Sequence, residues 1–203
     1  MKIIGLTGGS GAGKGEVCRA FLSFGVESID TDKISRDVTK KGGDCLRELV
    51  ETFSGKILGE YGSLDRKKLA EIAFSSRENL DKLNEITHKH ILTECNRVMQ
   101  YMQKAGREAV IVDAPLLFES GFDKSCDVII SVVADIDKRL ERIIKRDNIT
   151  SEQAEIRIKN QKDDGFFIAN SNHVIYNNTD YADIYIQVSK IYNIIFGEKI
   201  INE

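Results

Sequence analysis

Near the start of the chain, Gly8 is followed after four residues by Gly13 and Lys14. An apolar run, Ile3, Ile4, Gly5 and Leu6, leads into this stretch, and Gly9, Ser10, Gly11 and Ala12 fill the interval. Gly-x4-Gly-Lys after a strand and before a helix is the spacing of a phosphate-binding loop. Glycines let backbone N–H groups converge on an anion without a Cβ in the way. Lys14 adds a mobile positive point charge for the outer phosphates. The motif asks for Ser or Thr next, to hold a metal ion, but Gly15 and then Glu16 stand there.

Asp113 closes a second apolar run, Ala109, Val110, Ile111 and Val112. A carboxylate at such a strand end, beside phosphates, holds Mg²⁺ directly or through a water. A buried aspartate capping the next turn is the plainer alternative. Asp30 and Asp32 flank the end of another strand candidate, at the sheet edge where ligands of open α/β sheets bind. Asp32 there either accepts the proton of an attacking hydroxyl or N-caps the following helix. Arg139, Arg142 and Arg146 share one helix face, a shape suited to stabilising a moving phosphoryl group. Arg142 and Arg146 are read as functional, and Arg139 as solvated. His88 and His90, two apart on a helix, point to different faces and do not make a metal site.

These groups need elements to hold them. Strands are expected at 2–6, 26–30, 109–113, 128–133 and 173–176. A helix follows Gly13, with Val17, Phe21 and Phe24 on one face. From 31 to about 107 the pattern is almost wholly helical: short stretches at 33–39, 46–53 and 64–74, then a long helix over 78–104 with Ile91, Cys95, Val98 and Met102 in a stripe. That is far more than a strand crossover needs, so it reads as an inserted helical subdomain. A helix over 135–146 turns Ile136, Leu140 and Ile143 inward. Thr150 and Gln153 form a capping box for the next helix, and 162–172 is polar, with a glycine, and expected to be mobile. Tyr181, Tyr185, Val188, Tyr192 and Ile195 stripe a closing helix.

At 203 residues the chain can bury a substantial core, and its composition (41% hydrophobic, 30% charged) is that of an ordinary soluble protein. Twenty-nine Lys and Arg against 32 Asp and Glu leave a net charge of −3 with no basic stripe, which argues against a nucleic-acid surface. Cys18, Cys45, Cys95 and Cys126 are widely spaced and read as thiols in a reducing compartment. No apolar run approaches the roughly 18 residues that a membrane helix needs, and the first residues show no signal-peptide pattern. A cytoplasmic protein without membrane or nucleic-acid partners is expected.

Several ordered motifs together resemble the dephospho-CoA kinases. The opening loop matches theirs, and Ser28, Ile29, Asp30, Thr31 and Asp32, followed by Ser35 and Arg36, resemble their strand-end aspartate pair and helix arginine. Leu64 to Leu69, and Thr87, His88, Lys89, His90 and Ile91, resemble two signatures of their acceptor region. Val112, Asp113, Ala114, Pro115, Leu116, Leu117, Phe118 and Glu119 form the most specific match. Arg142, Arg146 and Asp147, then Arg157 to Gln161, look like the family's lid, and Val174 to Asn178 like its late strand and nucleotide-side turn. Three features depart from the family pattern: Gly15 with Glu16, Tyr176 where an acidic residue is common, and the stretch 162–167.

The resemblance implies an α/β P-loop NTPase fold of the nucleoside-monophosphate-kinase kind, a parallel sheet flanked by helices with a helical insertion and a lid. One kinase domain would span 1–203, with a nucleotide core of 1–30, 109–135 and 171–203, an acceptor subdomain of 31–108 and a lid of 136–170. It implies transfer of a phosphoryl group from ATP to the ribose 3′-hydroxyl of dephospho-CoA, with Mg²⁺ as cofactor. Lys14, Asp32 and Arg142 would be catalytic. Gly8, Gly9, Gly11, Ala12, Gly13, Lys14, Gly15, Glu16, Arg142, Arg146 and Asn177 would line the nucleotide, and Asp113 would hold the metal through a water. Asp32, Arg36, Arg66, His88, Lys89, Leu116 and Glu119 would meet the acceptor, in a monomer or weak homo-oligomer. Another P-loop small-molecule kinase, or a nucleotide- or CoA-binding relative weakened by Gly15, are the competing readings.

Overall fold

The computed structural model describes residues 1–197. Strands β1 (Lys2–Thr7), β2 (Glu27–Asp30), β3 (Ala109–Asp113), β4 (Val128–Val133) and β5 (His173–Tyr176) form one sheet in the order β2-β3-β1-β4-β5. The β1–β3, β1–β4 and β4–β5 pairings are parallel. Strands covered on both faces need near-continuous apolar runs, and β1, β3 and β4 supply them. Ile4, Leu6, Val110, Ile111, Val112, Ile130 and Val132 are fully buried. Each such side chain contributes about 1.5–3 kcal/mol by leaving water. The sequence places these five strands to within one residue at each end.

Helix α1 (Lys14–Ser23) follows the glycine loop and buries Val17, Ala20 and Phe21. The last helix described, α9 (Tyr181–Phe196), packs against the same core through Ile184, Val188, Ile191, Tyr192 and Ile195. Phe24 stacks on Tyr185 and Tyr192 at centroid separations of 5.3 and 4.8 Å, so the tyrosine stripe is packing. Helix α6 (Ile136–Asp147) leads to α7 (Ser151–Lys159), whose predicted capping box of Thr150 and Gln153 is present. Ile143 is buried, but Ile136 is exposed: it opens the helix and has no preceding turn to pack beneath. The stretch expected to be mobile contains α8 (Asp164–Ala169), capped by Asp163 and anchored by the buried Phe167. The charged run at 162–164 obscures that helix in the sequence: Lys162 and Asp163 are its approach and cap, and Asp164 is its first residue.

Residues 1–29 with 106 onward form one compact unit, and 30–105 a second. The second contains α2 (Thr31–Val38), α3 (Asp44–Phe53), α4 (Arg66–Ala73) and α5 (Arg77–Lys104). Its core is Cys45, Leu49, Phe53, Ile57, Leu69 and Ile86. Along α5 the buried stripe continues through Cys95, Met99 and Met102, so Met99 rather than Val98 faces inward. The four cysteines are thiols, and burial pushes those of Cys45 and Cys95 up to about 11. No helix among the described residues is long and apolar enough to cross a membrane.

Candidate functional site

The chain leaves β1 at Thr7 and returns as a helix at Lys14, with a glycine at the start and end of the turn. Gly8 has φ 138°, and a Cβ on it would lie 2.2 Å from the Val132 carbonyl oxygen of β4. Gly13 has φ 95°, and a Cβ there would lie 2.0 Å from Asn177 Nδ2. Both positions exclude a side chain on conformation and on space. Lys14 is the first residue of α1, where backbone N–H groups lack intrahelical partners and the helix dipole is positive. Its Nζ donates to the Gly8 carbonyl at 3.3 Å, so the side chain curls back over the loop. A phosphate at a glycine loop leading into a helix N-terminus is the expected ligand.

The loop is braced by side chains from later in the chain. Asn177, buried just after β5, donates from Nδ2 to the Ala12 carbonyl at 2.8 Å. Arg142 on α6 donates from Nη1 to the Gly11 carbonyl at 3.3 Å and from Nη2 to the Asn177 carbonyl at 3.1 Å. The structure thus brings Gly8, Gly9, Gly11, Ala12, Gly13, Lys14, Arg142 and Asn177 into one contact network. Arg146 behaves differently. It is exposed and donates to Asp147 at 2.8 and 3.0 Å. With Arg157 also on that carboxylate, Arg146 and then Arg157 draw the Asp147 carboxyl down to about 2. Arg139, read from the sequence as solvated, is only 4% exposed. A helix position three before Arg142 lies over the same loop, and that spacing was its available signal.

Gly15, at the second position of α1, has open space around it: a Cβ would meet nothing within 4 Å. Glu16 turns along its own helix to Arg19, an i,i+3 ion pair at the surface. Arg19 in turn stacks over Tyr181, 4.0 Å from the ring centroid. Asp113 ends β3 next to Leu6 in register, and the Cys18 thiol of α1 reaches its Oδ2 at 4.0 Å. No group of three or more His, Cys, Asp or Glu is arranged for a metal ion among the described residues. A single carboxylate beside a phosphate cradle is nevertheless what magnesium needs when substrate phosphates supply other ligands. Leu116 and Glu119 lie in the turn after β3, both exposed.

In the second unit, Asp30 caps α2 by accepting from the Lys33 N–H at 2.9 Å. The capping alternative for Asp32 is therefore taken by Asp30. Asp32 sits in the first turn of α2, exposed, and its side chain makes no hydrogen bond or ion pair with the other described residues. Arg36 approaches Asp30 at 3.9 Å. Arg66 opens α4 and donates to Thr39 Oγ1, which follows α2, at 2.8 Å. Lys89 and His90 on α5 both reach Glu48 of α3, at 2.9 and 2.8 Å. That pairing holds the Glu48 carboxyl below its usual range, through Lys89 first and His90 second. His88 is half-buried, and desolvation alone lowers its pKa, so the ring stays neutral near pH 7.

Residues 2–183 match the family model for dephospho-CoA kinase. A dephospho-CoA kinase of Fusobacterium nucleatum is 40% identical over 190 residues, covering 94% of this chain and 96% of that one. The crystal structure of a Thermus thermophilus protein superposes with a TM-score of 0.83 at 25% identity, covering 96% of this chain and 97% of the other. Dephospho-CoA kinase from Campylobacter jejuni superposes with a TM-score of 0.69 at 29% identity, over 96% and 98% of the two chains.

Proposed function

Because the chain belongs to the dephospho-CoA kinase family, we propose that it transfers the terminal phosphoryl group of ATP to the ribose 3′-hydroxyl of dephospho-CoA, giving coenzyme A and ADP. The observation that carries this reading to the residues is the braced glycine loop, in a chain whose family match runs through both compact units. Donor and acceptor chemistry divide between them. Loop N–H groups and Lys14 hold the triphosphate of ATP, with Gly8, Gly9, Gly11, Ala12, Gly13, Gly15 and Glu16 shaping the cradle. Arg142 and Asn177 keep the cradle's backbone in place, and Arg146 supplies charge from the same helix.

Asp32 accepts the proton of the 3′-hydroxyl as that oxygen attacks phosphorus; the bond to the ADP oxygen breaks, and ADP leaves with the electron pair. Its exposed position and its lack of a side-chain partner among the described residues support this role. Arg36, Arg66, His88 and Lys89 bind the acceptor, the cations engaging its phosphates and neutral His88 acting as a hydrogen-bonding group, and Leu116 and Glu119 are read as further acceptor residues. Asp113 would hold a magnesium ion through a water, and the ion would supply positive charge against that developing on the phosphates. Our reading puts the reaction in the cytoplasm, which the four free cysteines support, and takes the protein as a monomer or weak homo-oligomer.

Gly15→Ser tests the metal shell. The open space at Gly15 admits a hydroxymethyl group, and serine is the better helix former by about 0.5 kcal/mol. The Mg²⁺ concentration for half-maximal rate is expected to fall about tenfold, the lower end of what a supporting group adds to metal affinity. A titration of rate against Mg²⁺ checks it. An unchanged midpoint shows that other groups or waters already complete the shell.

A further inference from the structure

Arg139 is the most deeply buried arginine beside the glycine loop and has no assigned part in the reaction above. Its Nε donates to the Ser10 carbonyl at 3.0 Å, and its Nη1 to Asp164 Oδ1 of α8 at 3.0 Å. Its Nη2 is buried without a hydrogen-bond partner among the described residues. A Cβ on Gly9 would lie 2.2 Å from Nη2, and one on Gly11 would lie 2.6 Å from the Arg139 carbonyl oxygen. Two loop glycines thus make room for this one residue. The other side of the Ser10 peptide is held too: its N–H donates to Gln161 Oε1 at 2.7 Å.

A glycine-rich loop has few side chains with which to fix itself, and ordering it costs backbone entropy. If that cost falls at nucleotide binding, affinity drops; if the fold has already met it, the N–H groups wait in place. Arg139 and Gln161 grip Ser10 from its two sides. A buried guanidinium also costs desolvation, which Asp164 offsets only in part because its side chain is 37% exposed. An apolar side chain could fill the same space without a stranded N–H, so packing alone does not account for the charge. Behind the loop backbone, that charge favours an anion on the loop's other face.

We infer that Arg139 is a positioning residue: it holds the phosphate loop in its anion-accepting shape and ties that loop to α8, so nucleotide affinity depends on a side chain that need not touch the nucleotide. The inference rests on the kinase reading only for the identity of the nucleotide. Binding of ATP measured by calorimetry, with Mg²⁺ and without acceptor, separates the two, because wild-type turnover tests the reaction while the Kd for ATP tests Arg139. Arg139→Leu is expected to raise the Kd for ATP about tenfold or more and to leave the KM for dephospho-CoA unchanged. Arg139→Lys, which keeps the charge but cannot span Ser10 and Asp164 together, recovers part of the loss. A folded Arg139→Leu protein with a lower melting temperature and an unchanged Kd for ATP overturns the proposal and leaves the arginine a packing residue. If the leucine variant does not fold, Asp164→Ala decides. It spares the Asp163 cap of α8 and is expected to weaken ATP roughly threefold; no change in Kd overturns the tie to α8.

Discussion

Asp32→Asn is expected to lower kcat about 10²- to 10⁴-fold, the usual contribution of a general base, while the Kd for ATP stays within twofold or so of wild type. The substitution is nearly isosteric, and nothing in the fold leans on the carboxylate. Asp32 is exposed and its side chain unbonded among the described residues, and Asp30 does the capping of α2. The small loss is that of a negative charge in a helix's first turn, about 0.3–1 kcal/mol. Kinetics with dephospho-CoA, calorimetry with ATP and a melting curve on one preparation make the check. A parallel fall in turnover, affinity and melting temperature would make Asp32 structural. Asp30→Asn is the matched control, since asparagine caps a helix as well as aspartate does.

Lys14→Ala is expected to act on the other half of the chemistry. A preorganised donor aimed at developing phosphate charge contributes on the order of 10²- to 10³-fold in kcat, and a ground-state phosphate contact adds to ATP affinity. Both kcat and the KM for ATP should move, and the KM for dephospho-CoA should not. The fold has little at stake: Lys14 opens α1, alanine is a strong helix former, and the one side-chain bond lost among the described residues is the 3.3 Å contact to the Gly8 carbonyl. Lys14→Arg should rescue poorly, because a planar fork cannot occupy the space of a compact ammonium above a tight turn. Steady-state kinetics on both variants read this directly. Normal turnover in Lys14→Ala would remove the loop from the reaction.

The parts of this molecule that were legible in its residues are those where one local rule decides. Apolar runs too continuous for a half-exposed strand had to be buried parallel strands, and Gly8 and Gly13 lie where no side chain fits. Thr150 with Gln153 announced a helix start, and one was there. Contacts distant in sequence were harder to see. Asp30 and Asp32 are equally good caps by type; only the chain's path shows that the helix begins at Thr31 and gives the cap to Asp30. Arg139 shares a face with Arg142, yet its burial depends on a loop 129 residues away. The helix at 164–169 is short; its hydrophobic anchor, Phe167, has meaning only beside Phe118, and the helix itself only against β4. Periodicity cannot reveal partners of that kind. Glu16, a charge beside a phosphate loop, looked troublesome from the sequence; its turn toward Arg19 is a rotamer choice and lies outside what spacing encodes.

The central claim is that this chain moves the terminal phosphoryl group of ATP onto the ribose 3′-hydroxyl of dephospho-CoA. A single-turnover reaction with terminally labelled ATP, dephospho-CoA and Mg²⁺, its products separated and identified by mass and by 3′-phosphate-specific cleavage, tests it most directly. The prediction is ADP and 3′-labelled coenzyme A in equal amounts, with no label released as inorganic phosphate. Tight ATP binding without labelled coenzyme A, or label carried by shikimate, gluconate or a nucleoside monophosphate instead, would contradict it.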